Sequence, residues 1–174
     1  MADDPIPFVE VYRLYADRIY RFCLGMVRDP SLAEDLASDV FVLAMRSYES
    51  TRPDPDGLQA WLFRIAKNAV ISYRRRQARY RRIMDRWSIQ PATSVEDQVQ
   101  LESEVSEVLA ALAKLSKRDR TVVSLRIAGL SHAEIGQTLG TSDHAAAVAS
   151  TRAFARLRAI SRTDEQHPMK SSNE

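Results

Sequence analysis

The residue types that most often mark catalytic, metal or nucleotide sites are sparse and scattered in this sequence. The three histidines, His132, His144 and His167, have no cysteine at zinc-ligand spacing and belong to no Ser-His-Asp arrangement. The single Cys23 cannot form an intramolecular disulfide, and its apolar neighbours predict a buried thiol. The five glycines form no phosphate-binding loop. The sequence therefore predicts no catalytic residue, no metal site and no cofactor.

The clearest chemical potential lies in a dense run of cations. Nine Lys and Arg residues fall between positions 64 and 86, where Asp85 is the only acid. The aromatic residues among or beside them are Trp61, Phe63, Tyr73 and Tyr80. Cations attract phosphates and aromatic rings stack on unpaired bases, so this block predicts a single-stranded DNA ligand. Trp61 and Tyr73 also fit core positions at helical spacing, an alternative that does not apply to the arginines.

A second group of cations lies near the C-terminal end of the chain. Arg152, Arg156 and Arg158 could neutralise phosphates or contact guanine. They could equally form the solvated face of an ordinary helix. Which of these two roles they have depends on the helices that surround them.

Charge is distributed unevenly along the chain. The formal net charge is only +2, yet residues 1–60 carry −5, and residues 87–113 contain five acids and no Lys or Arg. Because phosphate binding depends on local charge, this asymmetry indicates an electrostatically guided partner. The alternative is a solvated acidic linker beside a solvated basic helix.

Two helices are predicted ahead of the basic block. Apolar residues recur every three or four positions from residue 8 to residue 26, which predicts a first helix. Asp29 can cap a second helix that has Pro30 in its first turn. The apolar positions of this second helix are Leu32, Leu36, Val40, Phe41, Leu43 and Ala44. They cover more than one stripe, so part of this apolar surface should stay exposed for a protein partner.

The basic block itself is predicted to lie on a third helix. Turn-forming residues at 49–57 predict an exposed loop, after which helical spacing resumes at Trp61. The helix continues through Arg74, Arg75 and Arg76 and weakens toward residue 87, with one face packed and the other cationic. A segment interrupted at Pro91 and rich in Gln and Glu then follows, and its composition is typical of an interdomain linker.

The C-terminal half carries helix-turn-helix spacing. Ser131 and Glu134 stand in capping-box relation. Gly140 provides a turn, and Ser142 can cap a last helix over residues 143–160. Such a motif places its second helix in the major groove of duplex DNA, so this last helix is the candidate reading helix.

No strand pattern appears, so the chain is predicted to be all-α, with two small helical domains joined by a linker. The domains are expected over residues 1–86 and 105–162, with an acidic linker at 87–104 and a disordered tail at 163–174. The chain lacks a run of about 18 apolar residues, and its acidic N-terminus is unlike a signal peptide. A cytoplasmic protein without membrane insertion is therefore predicted.

Taken together, these segments resemble the extracytoplasmic-function (ECF) group of the sigma-70 family, over roughly residues 8–158. Residues 8–12 and 33–41 are similar to region 2 of that family, whose second helix binds the clamp helices of the β′ subunit of RNA polymerase. The polymerase-binding residues that the resemblance implies are Asp35, Leu36, Asp39, Val40 and Phe41. Ser38 departs from the family, which usually has Gln at that position.

Residues 60–68 and the arginines that follow Tyr73 resemble the part of region 2 that melts and reads the minus-10 promoter element. The minus-10 contacts that the resemblance implies are Trp61, Arg64, Lys67, Asn68, Ser72, Arg74, Arg75 and Arg76. It also implies that the loop at 51–59 holds a flipped-out base of the nontemplate strand. Base flipping requires a pocket that offsets the lost stacking.

Residues 111–115 and 130–140 are similar to region 4, which reads the minus-35 element and contacts the β flap of polymerase. The minus-35 contacts that the resemblance implies are Ser131, Ser142, His144, Ala145, Val148, Thr151, Arg152 and Arg156. The family commonly has a Gly-Thr-Val-Lys-Ser-Arg type of stretch after the cap, whereas residues 144–149 of this chain include four alanines. Alanine can contact thymine methyl groups but not phosphates or guanine, so duplex recognition is expected to be weaker or differently specific.

The resemblance implies a non-catalytic promoter-specificity subunit. Its partners would be core RNA polymerase, promoter DNA and an anti-sigma factor. Two other hypotheses stay open: a stand-alone helix-turn-helix regulator that binds duplex DNA as a dimer, and a regulatory module that has lost promoter recognition. The stand-alone regulator leaves residues 1–80 unexplained.

Overall fold

The structure, a computed structural model, describes residues 6–86 and 103–166 of the chain. Within these residues the chain forms seven α-helices and no strand, which confirms the all-α prediction. The helices belong to two compact units, Met1–Gln100 and Leu101–Glu174. The segment 87–102, which covers most of the predicted acidic linker, lies outside the described residues, as does 167–174 of the predicted tail.

The first unit consists of three helices: α1 (Phe8–Val27), α2 (Pro30–Thr51) and α3 (Pro55–Arg86). The start of α2 confirms the capping prediction, because an Asp29 carboxylate oxygen accepts a hydrogen bond from the Leu32 N–H at 3.0 Å. Pro30 stands in the first turn, where its missing N–H costs nothing. Arg28, the residue that ends α1, adopts the left-handed conformation that closes many helices.

The core of the first unit lies between all three helices. Its large, fully buried side chains come from each of them and are Val11, Ile19, Phe22, Val40, Leu58, Leu62, Phe63 and Val70. The rings of Phe22 and Phe63 meet edge to face, with centroids 5.8 Å apart. Cys23 is buried in the same core, as predicted, and this burial raises the pKa of its thiol to about 12.

The predicted loop at residues 49–57 is wrong, because only residues 52–54 lie between α2 and α3. Pro55 is the first residue of α3, and the Asp54 carboxylate accepts a hydrogen bond from the Gly57 N–H at 2.5 Å. Asp and Pro therefore act here as the capping residue and first-turn residue of a helix. The same residue types are common in loops, which is why the pattern suggested one.

The third helix extends beyond the core. Its last fully buried side chain is Val70, and from residue 75 to residue 86 every side chain except that of Met84 is exposed. We call residues 75–86 the α3 extension. It contains six arginines and a single acid, so it is a strongly cationic, solvent-exposed stretch of helix.

The second unit contains four helices: α4 (Ser103–Lys114), α5 (Lys117–Ile127), α6 (His132–Leu139) and α7 (Asp143–Gln166). The predicted capping box is present, since Ser131 accepts from the Glu134 N–H while Glu134 accepts from the Ser131 N–H. Gly140 ends α6 at φ 71°, in the left-handed region that favours glycine. The last helix continues six residues beyond its predicted end at 160 and includes 163–166 of the predicted tail.

The core of the second unit holds α6 and α7 together as a helix-turn-helix. Its fully buried apolar side chains include Val123, Leu125, Leu130, Ile135 and Ala153. The turn is tight at Gly136, where an added Cβ would lie 2.8 Å from the Thr141 carbonyl oxygen. The exposed face of α7 is therefore held in a fixed position relative to α6.

Candidate polymerase and nucleic-acid surfaces

The predicted polymerase-binding residues on α2 fall into two groups. Asp35 and Asp39 are exposed, whereas Leu36, Val40 and Phe41 are only 2, 0 and 7 % exposed. These three apolar residues therefore belong to the core, and their contact with polymerase stays a prediction; Leu36 also lines the groove between α2 and α3. They pack into the core because α2 lies against both α1 and α3, and the Phe41 ring contacts Tyr12 at 4.8 Å between centroids.

The expected surplus of apolar surface on α2 is present, but largely on other residues. Val42, Leu43 and Met45 are 43, 45 and 56 % exposed, and only Leu43 was among the residues expected to supply it. Val42 and Leu43 share one side of the helix with three charged residues. We call this side the α2 outer face and define it as Asp35, Asp39, Val42, Leu43 and Arg46. Helical spacing could have identified Val42, because it lies seven residues after Asp35.

A groove runs between the α2 outer face and α3. The α2 residues that line it include Asp39, Val42, Leu43 and Arg46, and the α3 residues include Ile65, Asn68, Ser72 and Arg76. Three predicted minus-10 residues, Asn68, Ser72 and Arg76, thus lie beside the predicted polymerase-binding Asp39. The groove contains apolar, acidic and cationic groups, so it can contact a protein and a nucleic acid at neighbouring positions.

Other predicted minus-10 residues have different environments. Arg64 and Arg75 are exposed, and Lys67 is half-buried. The Trp61 ring is half-buried against Tyr48, with centroids 6.0 Å apart, and the Tyr48 hydroxyl donates a hydrogen bond to the Ile6 carbonyl at 2.6 Å. Much of the Trp61 ring is therefore packed as a core residue would be, and only its remaining surface is accessible to a base.

Arg74 is a predicted minus-10 residue that makes a contact within the fold. Its guanidinium donates a hydrogen bond to the Met26 carbonyl oxygen at 2.5 Å, at the C-terminal end of α1. Burial and the neighbouring Arg28 lower the pKa of Arg74. A cation at this position satisfies a helix-end carbonyl and joins α3 to α1, so Arg74 supports the fold.

The segment 51–59, expected to be a loop that holds a flipped base, is mostly helical. Residues 55–59 belong to α3, and Gln59 is buried. Its side-chain oxygen accepts a hydrogen bond from Arg18 at 2.7 Å, and the Arg18 guanidinium lies 5.3 Å from the Tyr15 ring centroid and 5.8 Å from that of Phe63. This packing leaves residues 52–54 as the non-helical part. Nothing in the local pattern around Gln59 indicated its long-range contact with α1.

The exposed side of α7 carries most of the predicted minus-35 residues. His144 and Thr151 are exposed and Val148 is half-buried, and they follow one another at intervals of four and three residues. We call these three residues the α7 ridge. Ala145 is exposed beside it. Ser131 and Ser142 cap α6 and α7, since Ser142 accepts from the Ala145 N–H at 3.2 Å.

Cations flank the α7 ridge on both sides. A depression on one side is lined by His144, Val148 and three arginines, Arg118, Arg152 and Arg156. A depression on the other side is lined by Thr151 together with Arg126 and His132. Arg126 and His132 were not among the predicted residues, because they belong to α5 and α6 and no spacing within α7 indicates them.

Arg156 is held by an ion pair. Its guanidinium lies 2.6 Å from a carboxylate oxygen of Asp119, which also accepts a hydrogen bond from the Ser116 hydroxyl at 2.8 Å. Burial alone would raise the pKa of Asp119, but the hydrogen bonds from Ser116 and Arg156 outweigh it and lower this pKa. The pair joins the start of α5 to α7 and fixes one cationic edge of the ridge.

Among residues 6–86 and 103–166, histidine, cysteine, aspartate and glutamate nowhere gather in groups of three that could hold a metal ion. In the same part of the chain, no helix has both the length and the apolar character that crossing a bilayer requires.

The fold defines an all-α protein with one unit that carries a cationic helix and a second built around a helix-turn-helix. Comparison with known families gives the same division. Residues 11–80 match sigma-70 region 2, and residues 106–157 match sigma-70 region 4. RNA polymerase sigma factor CarQ of Myxococcus xanthus is 31 % identical over 162 residues, which cover 88 % of each chain. The chain belongs to the sigma-70 family of RNA polymerase sigma factors, in its ECF group.

Two relatives described as ECF RNA polymerase sigma factors match over a smaller share of their length. The factor SigM of Bacillus subtilis is 38 % identical over 79 residues, which cover 44 % of this chain and 45 % of SigM. SigE of Mycolicibacterium smegmatis is 33 % identical over 136 residues, 75 % of this chain and 52 % of SigE. The chain thus spans about half the length of these two relatives.

Two solved structures share the fold. One is the sigma factor RpoE in complex with the anti-sigma factor NepR from Bartonella quintana, with a TM-score of 0.68 and 22 % identity over 90 % of this chain and 98 % of that one. The other is CnrH in complex with the cytosolic domain of CnrY, with a TM-score of 0.65 and 26 % identity over 90 % and 88 %. The first likeness concerns the fold alone.

Proposed function

We propose that this chain is a promoter-specificity subunit that binds core RNA polymerase and directs transcription initiation, with no catalytic activity of its own. The observation that carries the proposal is the groove in which Asp39 and the exposed apolar residues of α2 lie beside Asn68, Ser72 and Arg76. A protein that only bound duplex DNA through its helix-turn-helix would have no use for this surface. The chain would act in the cytoplasm, where core polymerase works.

The α2 outer face is the proposed contact with the β′ clamp helices. It combines exposed Val42 and Leu43 with the carboxylates of Asp35 and Asp39. Apolar surface at the centre of a contact provides most of the affinity, and charged groups at its edge set orientation and association rate. The proposed contact with the β flap belongs to the second unit.

The minus-10 surface would comprise the α3 side of the groove, neighbouring residues of α3 and the α3 extension. Its members are Arg64, Lys67, Asn68, Ser72, Arg75 and Arg76, with the accessible edge of Trp61. Polar groups in the groove can meet bases, while cations along the helix attract the backbone of a separated strand. The α7 ridge and its flanking cations would contact the minus-35 duplex.

Control by an anti-sigma factor is the last part of the proposal. One solved structure with this fold holds the sigma factor RpoE in complex with the anti-sigma factor NepR, and another holds CnrH in complex with the cytosolic domain of CnrY. In this chain the α2 outer face is an exposed apolar surface that such a protein could cover. Occupying it would exclude polymerase by direct competition.

In vitro transcription tests the function directly. Purified chain would be mixed with core polymerase lacking any other sigma factor, on a pool of genomic fragments, and the transcript starts would be mapped. We expect starts that share two upstream elements and depend on the chain. Tight binding of the chain to a duplex operator, without association with core polymerase, would instead establish a stand-alone regulator.

A further inference from the structure

The α7 ridge has an unusual chemical composition for a surface that reads DNA. Between Asp143 and Thr151 the helix contains no Lys, Arg, Asn or Gln. Its outward side chains are the imidazole of His144, the isopropyl group of Val148 and the methyl and hydroxyl groups of Thr151. The Thr151 hydroxyl donates a hydrogen bond to the Ala147 carbonyl oxygen at 3.1 Å, so its proton is engaged within the helix.

Arginines of this unit line the depressions on either side of the ridge, and Arg152 lies one helical turn after Val148. Val148 borders the depression with Arg118, Arg152 and Asp119, and Thr151 borders the one with His132 and Arg126, whose guanidinium also donates to the Leu130 carbonyl oxygen. A major groove has the same arrangement, with a phosphate backbone on each side of the base edges. Cations at the two margins can therefore position the helix on the backbones, which leaves the ridge facing the bases.

Base chemistry then limits what the ridge can read. Guanine is recognised in the major groove by two hydrogen bonds from Arg or Lys, and adenine by two from Asn or Gln. The three ridge residues include no Arg, Lys, Asn or Gln, so the ridge can form neither of these two pairs of hydrogen bonds. Small apolar side chains such as Ala145 and Val148 can instead contact the methyl group of thymine, which no other base carries.

We propose that the second unit selects its upstream promoter element by the 5-methyl groups of thymine, through Val148 and Ala145 with the methyl group of Thr151. The arginines at the margins fix register without selecting sequence. This inference rests on the proposed function, since it names the chemistry by which the helix-turn-helix of a sigma factor reads its duplex.

Replacement of thymine by deoxyuridine provides the test, because it removes the methyl group and leaves base pairing intact. The full chain bound to core polymerase would be used to select duplexes from a pool randomised in the upstream element. Each thymine of the selected element would then be replaced in turn, and the affinity of the complex measured. We expect at least one position to lose about three- to fivefold per methyl group, the effect of exposing one methyl-sized apolar group.

Two protein variants make the assignment specific. Val148→Ala should weaken binding to the thymine duplex but not to the deoxyuridine duplex, so the two changes should not add. Arg152→Ala, the matched control at the margin, should weaken binding to both duplexes by the same factor and reduce the salt dependence. The midpoint of thermal unfolding would show that both variants are folded.

The outcomes separate this inference from the function on which it rests. Equal affinity for thymine and deoxyuridine duplexes, or a selected element whose contacted positions are guanine, would overturn methyl reading while leaving the sigma function intact. Failure of the chain to give polymerase any duplex preference would overturn both.

Discussion

Arg74, Arg75 and Arg76 are consecutive arginines with three different environments. Arg74 donates to the Met26 carbonyl at the end of α1, Arg75 is exposed on the α3 extension, and Arg76 lines the groove beside α2. If an Arg74 variant failed to bind DNA, the loss could therefore result from the broken contact between α1 and α3. Only Arg75 and Arg76 are suitable for testing contacts with a strand.

Two substitutions in the groove should have separable effects. Asp39→Arg reverses a charge on the α2 outer face and should weaken association with core polymerase by about tenfold or more, because a complementary partner would now meet a like charge. Asn68→Ala should leave association nearly unchanged and impair promoter opening. Fluorescence anisotropy of labelled chain measures the first effect, and permanganate reactivity of unpaired thymines measures the second.

Glu34→Arg provides the matched control for this pair, since it makes the same charge reversal at an exposed position of α2 that faces the groove with α1. Its association with polymerase should remain close to that of the unmodified chain. Equal losses of association for Asp39→Arg and Asn68→Ala would contradict the proposed division of the groove.

The ion pair between Asp119 and Arg156 should make stability depend on pH. The folded state lowers the pKa of Asp119, so the pair contributes stability above the ordinary aspartate pKa, and this contribution is lost as the pH falls through the lowered value. Asp119→Asn should thus cost about 1 kcal/mol of unfolding free energy at pH 7 and a smaller amount at pH 3, below the ordinary aspartate pKa. Urea unfolding at both pH values measures the difference.

Arg156→Ala removes the other partner and should show the same dependence on pH. A cost that is equal at pH 7 and pH 3 for both variants would mean that the pair does not stabilise the fold through its charge.

The turn between α6 and α7 depends on a close approach of two backbone segments, at the end of α6 and at the start of α7. A Cβ at position 136 would lie 2.8 Å from the Thr141 carbonyl oxygen and 3.3 Å from the Asp143 nitrogen. Gly136→Ala should therefore destabilise the second unit by about 2 kcal/mol, since backbone atoms cannot move aside as a flexible side chain can. Chemical denaturation of the full chain measures the loss.

Gly140→Asn is the control for this substitution. Gly140 has a positive φ, but nothing lies within 4 Å of an added Cβ, and asparagine tolerates the left-handed region. Its cost should be clearly smaller than that of Gly136→Ala. If Gly140→Asn cost more than Gly136→Ala, the positive φ at Gly140 would matter more to the turn than the steric clash at Gly136.

The helices of this protein were predictable where capping residues mark them. Asp29, Ser131 and Ser142 each accept a hydrogen bond at the helix start that the sequence indicated. The loop before α3 was mispredicted because Asp54 and Pro55 suit a turn and a helix start equally well. Local pattern cannot decide between these two, since the outcome depends on the core that α3 enters.

The candidate surfaces were less predictable than the helices. Leu36 and Val42 are both apolar residues of α2, but one is buried and the other exposed. Which of two apolar stripes faces inward depends on where α1 and α3 pack, and this is a long-range property. The same holds for Arg74 and Gln59, whose partners are 48 and 41 residues away in the sequence.

At the scale of the whole molecule, the small net charge of +2 conceals opposed local charges. The α2 outer face carries carboxylates, while the α3 extension and the margins of the α7 ridge carry arginines. The proposed function, in which the chain binds both a protein and DNA, would benefit from this separation, because opposite charge keeps the two binding surfaces distinct.

The α3 extension has a thermodynamic consequence for DNA binding. Arg75, Arg79, Arg82 and Arg86 follow one another at spacings of three or four residues, and like charges at such spacings oppose helix formation. Phosphates would remove this repulsion, so ordering of the helix and binding of a strand must be linked, and each favours the other by the same free energy. Added salt then has two opposing effects, because it competes for the phosphates and also screens the helix. The measured salt dependence of strand binding should consequently correspond to fewer phosphates than the extension contacts.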